Sequence, residues 1–244
     1  MVHHPKPRSL DEAPDRSAGL AFPPAPPHRP PLPLSDSPTL ISYSAELKRK
    51  ALHLGALVIP LGIVLLGRTT ALWILGPFAV FAVACDLARL RIRAVHRFIH
   101  WLFAPIMRPE EQPPFGGPFV LNGATWMCVS AALCTAFFPE TVAAASLALL
   151  MVGDGAAAVV GRRFGRTRYP FSEKSLEGSA AFFVTGLAAA APFAALGEPA
   201  VPFVTLAAGA LTAAIIEALP LAINDNVRVP LLAGTVMLVG LALG

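Results

Sequence analysis

Residues 140–179 read ETVAAASLALLMVGDGAAAVVGRRFGRTRYPFSEKSLEGS, and the reading of their centre decides the fold. Gly153, Gly155 and Ala158 fit G-x-G-x-x-A, the dinucleotide fingerprint, which requires a strand before it and a βαβ unit around it. What precedes them is an alanine-rich run with one carboxylate at its start and helical composition throughout, so the α/β reading fails. Lys174-Ser175 resembles the end of a phosphate-binding loop, but Glu173 stands where that loop needs its last glycine. The stretch is therefore an apolar helix that runs into a polar cluster and then into a second apolar run.

Working outward, the same alternation governs the chain. Of 244 residues 55% are hydrophobic and 14% charged, with mean hydropathy +0.62; a soluble domain carries about a quarter charged residues. Apolar stretches near the roughly 20 residues a bilayer requires recur from residue 51 onward. They predict an all-α, polytopic transmembrane bundle of about seven spans, at 51–67, 70–88, 119–138, 141–161, 179–197, 199–217 and 227–244. Pro60 falls in the first span, where membrane helices tolerate proline if neighbours satisfy the freed carbonyl.

Residues 1–45 differ. They are rich in proline and polar residues, lack periodicity and cannot bury enough apolar surface to order themselves. They read as a disordered tail without signal-peptide character, ahead of a membrane domain at 46–244. Cys85, Cys128 and Cys134 lie in apolar segments without metal-ligand spacing, so they read as packing residues.

With the N-terminus in the cytoplasm, every Lys and Arg from residue 46 onward falls on the cytoplasmic side except Arg68. This asymmetry sets the orientation by the positive-inside rule. The polar clusters ELKRKALH, MRPEE, GDG…KSLEGS and NDN gather at that face, while the opposite loops GRTT, PE and GEP are short and bland. A transporter is expected to carry polar groups to the midplane and to both faces. The pattern instead predicts a one-sided site open to cytosolic small molecules and to lipid.

Within SAELKRKALHLG, Glu46, Arg49, Lys50 and His53 share one helical face. A basic interfacial anchor explains the lysines, but His53 sits a turn inside the apolar run, where ionisable groups are functional candidates. Asp154 lies near a span end among small residues, a costly place for a carboxylate unless it meets a cation such as a hard divalent metal. Pro170 and Ser172 suit the start of the next helix, which would put Lys174 in its first turn. A lysine beside a helix N-terminus makes a phosphate site, and Glu177 would hold a metal or orient that lysine. Glu217, Asp225 and Asn226 bring oxygen ligands to the same face, with Asn224 explained by turn chemistry. Asn122 and Thr125 read as interhelical glue, Arg108, Glu110 and Glu111 as a solvated loop, and His96 and His100 as interfacial.

Taken in order, ELKRKALH, MRPEE with NGATW, GDGAAAVVGRRFG, KSLEGS and EALPLAINDN with Pro230 resemble the CTP-dependent lipid-alcohol kinases, the family of dolichol kinase, phytol kinase and CTP-dependent diacylglycerol kinase. The resemblance runs from residue 46 onward. One departure is Asn224, where the family more often carries an acid. The resemblance implies transfer of the γ-phosphoryl of CTP to the hydroxyl of a membrane lipid alcohol. Asp154, Glu217 and Asp225 would hold Mg2+. Lys174 and nearby arginines such as Arg162 would cradle phosphates, within a nucleotide-binding segment that includes Gly153, Gly155, Gly161, Gly165, Ser175 and Gly178, with Asn226 beside it. Arg49, Lys50 and His53 would lie near the lipid hydroxyl or its new phosphate, and Glu177 would assist Lys174.

Phosphatidate cytidylyltransferases share the D-x-x-A…G-R-x-F-G and K-[TS]-x-E-G segments, so CDP-lipid synthesis is the nearest alternative. Their K-D…P-G-H-G-G…D-R segment has no counterpart in this sequence. A non-enzymatic transporter or lipid-binding protein is the third reading, disfavoured by the one-sided cluster. The expected setting is a multi-pass protein of a bacterial inner membrane, or of an endoplasmic-reticulum or plastid membrane in a eukaryote, with no nucleic-acid partner. The lipid and the oligomeric state are left open.

Overall fold

The computed structural model describes Met1 and residues 51–244; the proline-rich tail and Arg49 and Lys50 lie outside the described residues. Among the described residues the fold is helical, with one isolated bridge, Arg168 to Ser175, and no strand. The helices are α1 (Val58–Leu66), α2 (Arg68–Arg91), α3 (Arg93–Phe103), α4 (Gly123–Phe137), α5 (Glu140–Phe164), α6 (Leu176–Ala195), α7 (Phe203–Ala218) and α8 (Asp225–Leu243).

Seven apolar helical segments fall on the seven predicted stretches, but they are not equal. α2, α5, α6 and α8 are long and apolar enough to cross a membrane, whereas Ala51–Leu66, α4 and α7 are shorter. At 1.5 Å per residue α2 is about 36 Å long, against a hydrocarbon core of about 30 Å. The expected span 119–138 loses its first residues because the helix begins at Gly123, where the Asn122 side chain accepts from Thr125 N at 2.9 Å. Pro60 is the third residue of α1, in the first turn, where a missing N–H breaks no intrahelical bond. Gly67, at φ 77°, permits the sharp reversal into α2. The chain also forms α3, a helix not anticipated in the sequence reading.

α5 is the axis of the bundle: 67% of its apolar window is buried, against 17% for α2. α2 turns Trp73, Ile74, Phe78 and Phe81 outward, an apolar surface that suits lipid rather than water. α5 packs on α6 through glycines. A side chain at Gly153 would begin 2.9 Å from the Phe182 ring, and one at Gly186 would begin 3.0 Å from Leu149 O. Small residues let the two backbones approach closely, the usual device where no hydrophobic effect drives helices together. The buried hydroxyls of Thr135 and Ser146 donate to Ala131 O and Ala143 O, and all three cysteines are free thiols.

Candidate functional site

Five pieces of chain converge at one end of the bundle: the close of α7, the starts of α8 and α4, the loop before α6, and the Pro109–Glu111 turn. Together with Asp154 of α5 they enclose a cavity of about 550 Å³. Asp154, Lys174, Asp225 and Asn226, four of the residues singled out in the sequence, line it.

Lys174 is the hub. Its Nζ lies 2.7 Å from Glu217 Oε1 and 3.4 Å from Asp225 Oδ2, and it also donates to the Glu217 carbonyl. Glu217 is 5% exposed and stands behind Lys174 rather than on the cavity wall. The charges of Asp154 and Asp225 both reach it. Glu217 is thus placed to hold the lysine, a buried acid matched by a half-exposed cation.

The start of α8 shows the local logic of NDN. The Asn224 side chain caps the helix by accepting from Asn226 N at 3.0 Å, a role that asparagine and aspartate fill equally well. Asp225 then sits in the first turn, where the helix dipole favours an anion. Asn226 Nδ2 donates to Gly123 O at 3.0 Å, tying α8 to α4. Arg228, one turn on, is only 6% exposed. Its Nε donates to Asp225 Oδ1 at 2.8 Å and its Nη2 to Leu219 O at 2.8 Å. Nη1 is buried without a hydrogen-bond partner on a residue that lines the cavity.

The loop before α6 differs from the expectation. The helix begins at Leu176 with Ser175 as its cap, accepting from Gly178 N at 3.1 Å. Pro170 and Ser172 belong instead to a tight turn closed by Tyr169 N to Lys174 O and Leu176 N to Thr167 O. Lys174 therefore precedes the helix. Glu177 turns from the lysine and accepts from Thr167 N at 3.1 Å, clamping the loop to the helix. Three of the glycines pack against Ser175. Side chains at Gly161, Gly165 and Gly178 would begin 3.3, 2.7 and 3.2 Å from Ser175 Oγ, while at Gly155 no described atom lies within 4 Å. Arg162 is exposed at the end of α5, and His53, ahead of α1, is not on the cavity wall.

The sequence reading missed part of the wall. Arg108 and Glu111, taken there as a solvated loop, line the cavity, and Glu111 is buried. They are held by a pair the sequence reading passed over, Asp86 and Arg89, both fully buried with Arg89 Nε 3.0 Å from Asp86 Oδ1. Arg89 donates to Glu111 O at 3.0 Å and Val120 O at 2.7 Å, and Asp86 accepts from Asn122 N at 3.0 Å and Nδ2 at 2.8 Å. The signal was available: two opposite charges at i, i+3 in an apolar run.

Among the described residues no group of three His, Cys, Asp or Glu is assembled to hold a metal ion. Magnesium, however, is commonly bound by one or two carboxylates together with substrate phosphates. Asp154 and Asp225 stand on the cavity wall, where that donor set would form, with Asp225 also paired to Lys174 and Arg228; Glu217 lies behind Lys174, off the wall.

No protein-family model and no solved structure matches the chain. An uncharacterized protein of Rickettsia prowazekii is 28% identical over 192 residues, 78% of this chain and 91% of its own. A probable chloroplastic phytol kinase of Triticum aestivum is 39% identical over 97 residues, and a CTP-dependent diacylglycerol kinase of Eremothecium gossypii is 33% identical over 122. These two alignments cover 35% and 50% of this chain, and only 32% and 37% of the kinases' own lengths.

Proposed function

We propose that this protein transfers the γ-phosphoryl group of CTP to the hydroxyl of a membrane lipid alcohol, a polyprenol, phytol or diacylglycerol, at the cytoplasmic face. The observation that carries the reading is the cavity wall, where Lys174, Arg228 and Arg108 stand with Asp154 and Asp225 at one end of an apolar bundle. Similarity to the phytol and diacylglycerol kinases supports it, each over part of the chain.

Phosphoryl transfer depends on positioning and on neutralising charge. The new bond joins the alcohol oxygen to the γ-phosphorus as the bond from that phosphorus to the β-phosphate oxygen breaks, releasing CDP. Lys174, steered by Glu217, and Arg228, through its open Nη1, meet phosphate oxygens. A carboxylate of the wall takes the hydroxyl proton. Asp154 and Asp225 would hold Mg2+, which when bound neutralises the phosphates. Arg49, Lys50 and His53 are assigned to the lipid side.

The test is to incubate purified protein with CTP, magnesium and a panel of lipid alcohols and phosphatidate. CDP with a phosphorylated alcohol is expected. Pyrophosphate with a CDP-lipid would replace the reading with cytidylyl transfer, and binding or flux without turnover would replace it with a non-enzymatic role. Asp154→Asn is expected to abolish turnover while the protein still purifies.

A further inference from the structure

α3 divides into three sectors, and its place in the chain gives them meaning. It follows α2 directly after a break at Ile92, where φ is −120° and ψ 110°, so it leaves a membrane-crossing helix at that helix's end. Val95, Ile99 and His96 face the protein, with Ile99 buried. Ala94, Phe98, Trp101 and Leu102, spaced i, i+4, i+7 and i+8, form an outward apolar face on which Trp101 is 76% exposed. Between these sectors lie Arg93 and Arg97, one turn apart and exposed.

The basic sector borders a recess. Arg93, His96, Arg97 and Phe115 line a second cavity of about 440 Å³. The Arg93 guanidinium lies 5.4 Å from the Phe115 ring centre. Neither guanidinium has an acceptor among the described residues, and His96 Nδ1 is buried without a partner. No acidic side chain lines the recess. The neighbouring His100 imidazole is held below its usual pKa, first by burial and then by the charges of His96 and Arg89.

We propose that α3 lies in the plane of the membrane interface and binds an anionic phospholipid, with its phosphate between Arg93 and Arg97 in this recess. A helix with aromatic and aliphatic residues on one face and arginines beside them settles at the headgroup boundary. Arginine's fork suits a phosphate oxygen pair, and anionic lipid supplies that phosphate at the depth α3 occupies. The site is separate from the phosphoryl-transfer cavity and does not rest on that reading.

The chain has three tryptophans, Trp73, Trp101 and Trp126, so Trp73→Phe with Trp126→Phe leaves Trp101 as the sole reporter in the full chain. Reconstituted with lipids brominated at shallow carbons, Trp101 is expected to be quenched, and about twofold more by brominated phosphatidylglycerol than by brominated phosphatidylcholine at low salt. Arg93→Gln with Arg97→Gln is expected to abolish that preference while quenching by phosphatidylcholine remains. Native mass spectrometry of the chain with all tryptophans, offered both lipids equally, is expected to show excess phosphatidylglycerol adducts that the arginine variant loses. An unquenched Trp101, equal quenching or adducts with both lipids, or a preference that survives in the variant would overturn the proposal.

Discussion

Replacing Lys174 by alanine would leave the Glu217 carboxylate buried without its cation. Breaking a buried ion pair from one side costs about 3–5 kcal/mol. Because the Lys174 side chain is 35% exposed, water screens part of the interaction and the cost belongs near the low end, about 3 kcal/mol. That corresponds to roughly two powers of ten in the folded ratio. The same substitution removes the charge proposed to meet the phosphates, which is expected to lower turnover about 10²- to 10³-fold. The two effects separate in the double variant with Glu217→Gln, which removes the stranded charge. Heat-induced aggregation in detergent and the rate of CDP release are measured side by side. The double variant is expected to regain most of the stability and none of the activity. Recovery of both would make Lys174 a structural partner only, and a Lys174→Ala protein as stable as the parent would refute the buried-pair argument.

Three further outcomes are expected. Asp86→Asn leaves Arg89 fully buried and uncompensated, so it should cost about 3 kcal/mol, read as a lower temperature at which the protein stays monodisperse. Gly186→Ala would drive a methyl to 3.0 Å from the Leu149 carbonyl, an overpacking cost of about 1–3 kcal/mol at the α5–α6 seam by the same assay; unchanged stability would show that the seam yields. Arg228→Met should weaken CTP binding roughly tenfold or more, the value of a charge-assisted hydrogen bond, measured by titration calorimetry. Undiminished affinity would remove Arg228 from the phosphate site.

The sequence alone sufficed for the helical class, for the approximate place of each apolar segment and for four residues of the cavity wall. These are one-dimensional properties: hydrophobic length reports an apolar helix, and a charge beside an apolar run reports an expense that needs a reason. Which helices are long enough to cross was less legible, because caps such as Asn122 and the break at Ile92 depend on contacts from elsewhere. The close packing of Gly161, Gly165 and Gly178 on Ser175 was hidden for the same reason, since a glycine reads alike whether or not another part of the chain comes up against it. Only tertiary structure decided that Glu217 steers Lys174, that Glu177 clamps a loop, and that Asp86 and Arg89 hold Arg108 and Glu111 on the wall. Each of those roles depends on which opposite charge lies within a few ångströms, and Lys174 and Glu217 are brought together across 43 residues of chain by the packing of helices.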